Sequence, residues 1–362
     1  MMDMGPAALI ISIAISLALI PLAIKAAHRY SILDKPGRHK RHAKPTPFLG
    51  GAVLFAAMWL TILVISLAYP DRIDLADNSL FYILAGAVII TLTGLIDDMR
   101  PLPTWPRLLV QIGVGLILFF GGVRVELLTT PWGSIDMTNY SALLTVAWVV
   151  GLTNAINIID GLDGLASGVC LIAASTLVVI GMSHDMGWIQ VIAFVLIGFL
   201  LPFLFFNSRP AKIFLGDSGS MQLGYYFAVF SLLVRFKSFT SSALFVPLLT
   251  LGVPITEAAS SVIRRLITGK SLMSADRRHL FHYLSWMGLS QRQIVLVFYA
   301  MGVIFGLFAV GMNYWNRPLV LTLLVLFMVV IFVVYFILVT GLSRRLRNGS
   351  ARHPRKANSK VE

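Results

Sequence analysis

Charged residues are scarce in this sequence of 362 residues: Asp, Glu, Lys and Arg make up 12%, about half the share usual in globular proteins. Cysteine is nearly absent. The one present, Cys170, lies in an apolar run, which excludes a disulfide framework and predicts a core position. The sequence also lacks a GxxxxGKS/T phosphate loop and a GxGxxG turn opening a helix. A P-loop ATPase and a Rossmann dinucleotide-binding protein are therefore without support.

Hydrophobic residues make up 57% of the chain and gather in runs of about 17 to 25 residues, each long enough to cross a bilayer core. We predict an all-α, polytopic integral membrane protein with about eleven transmembrane helices. The first run has no basic leader, so we interpret it as an uncleaved span rather than a signal peptide. The predicted spans are 6–27, 48–69, 80–96, 106–122, 142–159, 165–182, 188–206, 219–234, 242–262, 293–312 and 319–341.

Basic residues predict the orientation of these spans. Of the 29 Lys and Arg residues, 24 fall on one side of the predicted membrane and five on the other. The basic side is expected to be cytoplasmic, which places the N-terminus outside and the C-terminus inside. Basic cytoplasmic loops that orient the chain and attract anionic lipid headgroups explain the net charge of +13. No nucleic-acid partner is therefore expected. We predict one transmembrane domain, 1–341, with cytoplasmic loops 28–47, 97–107, 207–217 and 263–292, and a basic, disordered tail, 342–362.

Five aspartates lie at the predicted inner ends of three different spans. They occur in "LIDD" (Asp97 and Asp98), "NIIDGLDGL" (Asp160 and Asp163) and "FLGDSGS" (Asp217). Neighbouring carboxylates at a low-dielectric boundary repel each other unless a cation lies between them. Mg²⁺ prefers oxygen ligands and binds one or two carboxylates together with substrate phosphates. Because three sets of acids share one depth, a metal-dependent site is favoured over three separate solvated helix ends.

The stretch "NAINIIDGLDGLA" places Asn154, Asn157, Asp160 and Asp163 three residues apart, on one drifting helical face. Asparagines alone could serve as interhelical hydrogen-bonding groups. Beside two aspartates they favour metal ligation or nucleotide contact. The glycines that follow both aspartates weaken the helix and allow a ligand to approach the backbone.

Cations for an anionic substrate are predicted in the loop 263–292. Arg277 and Arg278 suit phosphate recognition, and His279 and His282 follow them. A single HxxH without cysteine partners is weak evidence for zinc. We therefore favour phosphate binding or proton relay for His279, with a plain solvated histidine as the alternative.

Four motifs in order, "LIDD", "NAINIIDGLDGLA", "FLGDSGS" and "DRRHLFHYL", resemble the polyprenyl-phosphate N-acetylhexosamine-1-phosphate transferases. The resemblance spans 30–293 and is greatest to the bacterial undecaprenyl-phosphate N-acetylglucosamine-1-phosphate transferases. It implies transfer of a sugar-1-phosphate from a UDP-N-acetylhexosamine to undecaprenyl phosphate, with release of UMP. It also implies Mg²⁺, with Mn²⁺ as a substitute, and an active site on the cytoplasmic face of the bacterial inner membrane. The product would start an O-antigen or another cell-envelope polysaccharide.

The resemblance also implies roles for individual residues. Asp97 and Asp98 match aspartates near the lipid phosphate and the metal, and Asp160 and Asp163 match nucleotide-side and catalytic positions. His279 matches a histidine that faces the donor diphosphate. The other implied positions are Asn157, Asp217 and Asp98 for the metal; Gly161, Leu162, Asp163, Asn207 and Phe214 for the uridine; and Arg107, Arg277, Arg278, His279 and His282 for phosphates.

Several alternatives stay open at this point. Close relatives of this kind carry HxHH where this chain has Phe281 in the third place, which bears on the choice of donor sugar. Phospho-MurNAc-pentapeptide transfer is the second candidate reaction, and an ion-coupled transporter is the candidate from another class. The lipid phosphate could attack directly after deprotonation by Asp97, which we favour, or an aspartate could attack first. A homodimer is one option for the assembly.

Overall fold

Helices formed by the apolar runs account for nearly all of the structure. The computed structural model describes residues 4–34, 44–71, 78–130, 133–182, 189–233, 245–267, 269, 279–315 and 317–350. The helices are α1 Met4–Arg29, α2 Gly50–Ala68, α3 Asn78–Met99, α4 Thr104–Phe120, α5 Ser141–Ile159, α6 Leu165–Gly181, α7 Ile189–Asn207, α8 Gly216–Leu233, α9 Phe245–Thr250, α10 Gly252–Ile267, α11 Leu280–Trp286, α12 Gln291–Tyr314 and α13 Arg317–Ser350.

Within the described ranges, seven helical stretches are long and apolar enough to cross a membrane. They belong to α1, α2, α3, α5 with the short turn before it, α7, α12 and α13, and two shorter apolar helices are α4 and α6. The expected all-α, polytopic membrane protein is thereby confirmed. The count of eleven spans and their orientation stay predictions.

Two features differ from the predicted spans. The span predicted at 242–262 is divided into α9 and α10, because Gly252 and Pro254 lie in the first turn of α10, where a helix starts more readily than it continues. The helix α13 continues to Ser350, into the segment expected to be disordered; 351–362 lie outside the described residues.

The described part of the chain also contains four short strands, which the hydrophobic pattern did not predict. Strand β1 (Leu33–Asp34) pairs antiparallel with β2 (Thr46–Pro47), and β3 (Leu127–Thr130) pairs antiparallel with β4 (Gly133–Asp136). The first pair brackets the basic segment after α1. Backbone bonds join Pro47 and Gly50 to Phe214, so this pair lies beside the start of α8.

The helix α8 is the most enclosed element and packs against α2, α3 and α5. Glycines allow this close packing. A Cβ on Gly94 of α3 would lie 2.2 Å from the Cα of Ser218, and one on Gly224 of α8 would lie 2.5 Å from the Cα of Thr153 on α5. Small residues of this kind let helix backbones touch in a membrane. The contacts bring the ends of α3, α5 and α8 together.

Candidate active site

A cavity of about 530 Å³ lies where α3, α5 and α8 meet. Most of the residues that the sequence singled out line it, although they come from positions up to 185 residues apart in the chain. All five aspartates are among them. The predicted residues on its wall are Asp97, Asp98, Asn157, Asp160, Gly161, Leu162, Asp163, Asn207, Phe214, Asp217 and His282.

Asp98 joins the end of α3 to the beginning of α8. One carboxylate oxygen accepts a hydrogen bond from the backbone N–H of Asp217 (2.7 Å), and the other accepts from the N–H and the hydroxyl of Ser218 (3.1 and 2.7 Å). These amides belong to the first turn of α8, where N–H groups have no acceptor within the helix. Asp98 therefore fixes the position of Asp217, a role that its place in "LIDD" did not predict.

Asp97 is buried and forms an ion pair with Arg107 of α4. Its carboxylate accepts from Nη1 of Arg107 at 2.6 Å and from the backbone N–H of Leu102 at 2.6 Å. A charge-assisted pair of this kind is strong when water has limited access. The guanidinium of Arg107 is thus held beside the cavity wall.

Asn157 connects α5 to α8. Its Nδ2 donates to Oδ1 of Asp217 at 2.6 Å and to the hydroxyl of Ser220 at 2.9 Å. With the nitrogen engaged in this way, the carbonyl oxygen of Asn157 is the atom that suits a cation. Asn154 instead donates to Gln111 of α4 at 2.6 Å, so this asparagine serves interhelical packing.

The turn between α5 and α6 carries Asp160 and Asp163 and is braced from two sides. Gly164 has a φ of +79°, which favours glycine. Its N–H donates to Oδ1 of Asn207 at 3.1 Å, and its carbonyl accepts from the hydroxyl of Tyr299 on α12 at 2.6 Å. Asn207 in turn donates to the carbonyl of Ile213 at 2.9 Å. It therefore ties this turn to the segment before α8.

Asp160 is surrounded by other acids. Burial raises its pKa well above the usual range, and the charges of Asp217, Asp98 and Asp163 raise it further, in that order. A carboxyl group in these surroundings holds a proton more readily than an exposed aspartate does. A cation placed among the acids would reverse this effect.

The two predicted histidines, His282 in α11 and His279 just before it, are placed differently. His282 lines the cavity together with Phe281, whose ring centroid is 4.3 Å away. His279 does not line it; this side chain is buried beside Glu257 of α10. The predicted phosphate-binding residues Arg277 and Arg278 lie outside the described residues.

Some residues of the wall were not predicted from the sequence. Asp34, Phe48, Pro101 and Gln291 line the cavity. Asp34 begins the basic segment "DKPGRHKRH", and the charges of this segment could have indicated a place near an anionic ligand. Gln291 begins α12 and carries no motif, and only the packing of α12 brings it near.

Comparison with known proteins was made on the whole sequence. The family model of glycosyl transferase family 4 matches residues 80–235, which include all five aspartates. The chain is 35% identical to a "Probable undecaprenyl-phosphate N-acetylglucosaminyl 1-phosphate transferase" of Bacillus subtilis, over 92% of each protein. It is 33% identical to a decaprenyl-phosphate N-acetylglucosaminephosphotransferase of Mycobacterium leprae, over 75% of each. A phospho-N-acetylmuramoyl-pentapeptide-transferase of Listeria monocytogenes is 30% identical over 79% of this chain and 89% of its own.

The chain belongs to the polyprenyl-phosphate N-acetylhexosamine-1-phosphate transferase family. It is an enzyme of the transferase class with a membrane-embedded fold. The predicted resemblance is thereby confirmed.

In this transferase, the residues of the wall fit a magnesium ion only if other ligands contribute. Within the described part of the chain, no group of three or more His, Cys, Asp or Glu is spaced to hold a metal by itself. Mg²⁺ needs fewer, because it retains water and takes substrate phosphates as ligands. The Asn157–Asp217 pair offers hard oxygen donors at the cavity wall, and this donor set suits that ion.

Proposed function

We propose that this transferase moves N-acetylglucosamine-1-phosphate, or a related N-acetylhexosamine-1-phosphate, from a UDP-sugar to undecaprenyl phosphate. UMP is the other product, and the lipid-linked sugar begins a cell-envelope polysaccharide. The observation that carries the proposal is the meeting of five aspartates at one cavity, from the end of α3, the turn between α5 and α6, and the first turn of α8. The names of the relatives, which cover most of the chain, support the same reaction.

We assign the metal to Asp217 and Asn157, with Asp98 holding Asp217 in place. Bound there, Mg²⁺ would neutralise charge on the diphosphate of the donor. Mn²⁺ offers similar ligand preferences and should substitute. The buried hydrogen bonds of Asp98 keep Asp217 oriented without substrate, so little reorganisation is needed when the donor binds.

In the proposed reaction, an oxygen of the lipid phosphate attacks the β-phosphorus of the donor. The bond from this phosphorus to the bridging oxygen breaks, and UMP leaves with that oxygen. Arg107 presents a positive charge to the incoming phosphate while Asp97 keeps the guanidinium in position. Because Asp97 is engaged in this pair, we assign the proton of the lipid phosphate to Asp160, a second carboxylate on the wall of the same cavity.

The turn 160–164, Phe214 and His282 form the proposed donor side of the cavity. Gly161 and Leu162 line this side, and Phe214 offers an aromatic face to a nucleoside. The basic loops support a position of this side at the cytoplasmic face of a bacterial inner membrane, where UDP-sugars and lipid headgroups meet.

A donor panel tests the proposal. Purified protein in detergent with undecaprenyl phosphate would receive UDP-GlcNAc, UDP-GalNAc or UDP-MurNAc-pentapeptide, and lipid products would be identified by mass spectrometry. We expect product from UDP-GlcNAc or another UDP-N-acetylhexosamine. Product from the muropeptide alone would assign the reaction named for the Listeria relative, and release of UMP from none of these donors would contradict the proposed reaction.

A further inference from the structure

One buried carboxylate outside the cavity takes no part in the proposed reaction. Glu257 of α10 is 4% exposed and does not line the cavity wall. Burying a carboxylate is costly unless its oxygens are paired. The contacts of Glu257 therefore indicate what it does.

Glu257 contacts the point at which α11 begins. Its Oε1 accepts a hydrogen bond from the backbone N–H of Leu280 at 2.5 Å, and Nδ1 of His279 lies 3.8 Å from the same oxygen. The first N–H groups of a helix lack intrahelical acceptors, and an anion is favourable there. One carboxylate of α10 thus fixes the first residue of α11 and lies beside the imidazole of the residue before it.

The next two residues of α11 are those that reach the cavity. Phe281 packs so closely on Gly161 that a Cβ there would lie 2.6 Å from Cζ of the ring. His282 lies beside Phe281 on the wall. Because Leu280 directly precedes them, a shift at the start of α11 moves both side chains against the turn that carries Asp160 and Asp163.

We propose that Glu257 is a positioning residue for donor binding: it fixes α11 so that Phe281 and His282 close the donor side of the cavity. The ligand that depends on it is a nucleoside diphosphate sugar, whose anionic diphosphate His282 faces. The proposal rests on the proposed function for the identity of the donor. It assigns His279 to the support of α11 rather than to the reacting groups.

Steady-state kinetics of three variants test this. Glu257→Ala loses the acceptor for Leu280, and we expect the KM for the UDP-sugar to rise about tenfold while the KM for undecaprenyl phosphate changes less than about twofold. Glu257→Gln keeps an oxygen for the amide and should stay within about threefold of wild type. Thr256→Val is the matched control, because among the described residues this hydroxyl bonds to Val253 of its own helix, and the kinetics of this variant should be unchanged.

A double-mutant cycle separates positioning from general destabilisation. If Glu257 acts through His282, Glu257→Ala should add less than about twofold to the donor KM of His282→Ala. Effects that multiply, an equal rise for both substrates, or an unchanged donor KM would overturn the proposal. Should Glu257→Ala not fold, Glu257→Asp takes its place, with a smaller donor-specific rise expected and no rise contradicting it.

Calorimetric binding of UDP in the presence of Mg²⁺ distinguishes the two levels of inference. If wild-type protein fails to bind UDP, the proposed function itself is contradicted. If wild-type protein binds UDP no more tightly than Glu257→Ala does, only the role of Glu257 is contradicted.

Discussion

The two walls of the cavity are built in different ways. The acid wall, made by Asp97, Asp98 and Asp217 of α3 and α8, has carboxylates that accept several short hydrogen bonds from the protein. The loop wall is the turn 160–164 with Phe281 and His282. Its carboxylates are bound less tightly: Asp163 accepts one bond at 3.4 Å, from the N–H of Ala211.

The difference indicates which ligand each wall binds. Side chains that are already held by hydrogen bonds keep their position when substrate binds. Such preorganised side chains suit the stabilisation of charge at a fixed point during the reaction. Side chains with fewer internal bonds are available to a ligand. We therefore assign the metal to the acid wall and the nucleotide to the loop wall, and each prediction below tests this division.

The largest effect is expected at the acid wall itself. Asp217→Ala removes the carboxylate that Asn157 and Asp98 orient, and we expect transfer to fall about 10³-fold, because preorganised charge in such a site is worth that much. The measurement is UMP release by purified protein. Asp136→Ala is the control: the carboxylate of this exposed residue of β4 accepts hydrogen bonds from Thr138 in the described structure, and the variant should keep full activity. Near wild-type turnover of Asp217→Ala would contradict the metal assignment.

The attachment of α3 to α8 gives the next effect. Asp98→Ala removes the acceptor for the first turn of α8, and we expect about a 10²-fold loss of kcat with normal membrane insertion.

Gly94→Ala should disturb the same junction sterically, because the added methyl group would collide with Ser218. We expect the free energy of unfolding to fall by about 1–3 kcal/mol, measured by denaturation in detergent. Gly113→Ala on α4 meets no atom within 4 Å and serves as the control. Equal stability of both glycine variants would rule out a tight contact here.

A milder and more selective effect is expected at the loop wall. Asp163→Asn should raise the KM for the UDP-sugar about tenfold and leave the KM for undecaprenyl phosphate unchanged, because this residue is assigned to the nucleotide. Steady-state kinetics with each substrate varied in turn provides the test. A rise in the KM for undecaprenyl phosphate alone would mean that the loop wall binds the lipid substrate and not the nucleotide.

The smallest effect concerns the metal. Since no complete cage of acids is present in the described ranges, the ion should bind weakly alone and at least about fivefold more tightly with UDP-GlcNAc present. Titration of Mn²⁺ followed by electron paramagnetic resonance, without undecaprenyl phosphate, measures this coupling. Affinity that is independent of UDP-GlcNAc would mean that the protein supplies the ligands by itself.

Much of the fold could be predicted from hydrophobic runs, because a bilayer permits few structures other than helices of a set length. The break before α10 was missed. Gly252 and Pro254 lie in an apolar context that reads as one span, and only the start of a more polar helix there marks the division. The β pairs were missed because two- and four-residue strands leave no periodic pattern.

The site was predicted in composition but not in its connections. Paired acids at helix ends indicate a cation and phosphate, and that logic needs no coordinates. Which acid holds which partner depends on the approach of α3 to α8 and on the turn at Gly164. For that reason the support given by Asp98, Asn207 and Tyr299 emerged only from the structure. The role of Glu257 could not be predicted from the sequence, because this residue belongs to none of the motifs.

The most direct test of the account is the dependence of UMP release on both substrates and on Mg²⁺. With purified protein, we predict that UMP forms from UDP-GlcNAc only when undecaprenyl phosphate is present, stops on addition of EDTA and resumes with excess Mg²⁺. UMP release that continues without the lipid, or that EDTA does not affect, would contradict a site in which acids from separate helices join two phosphorylated substrates around a cation.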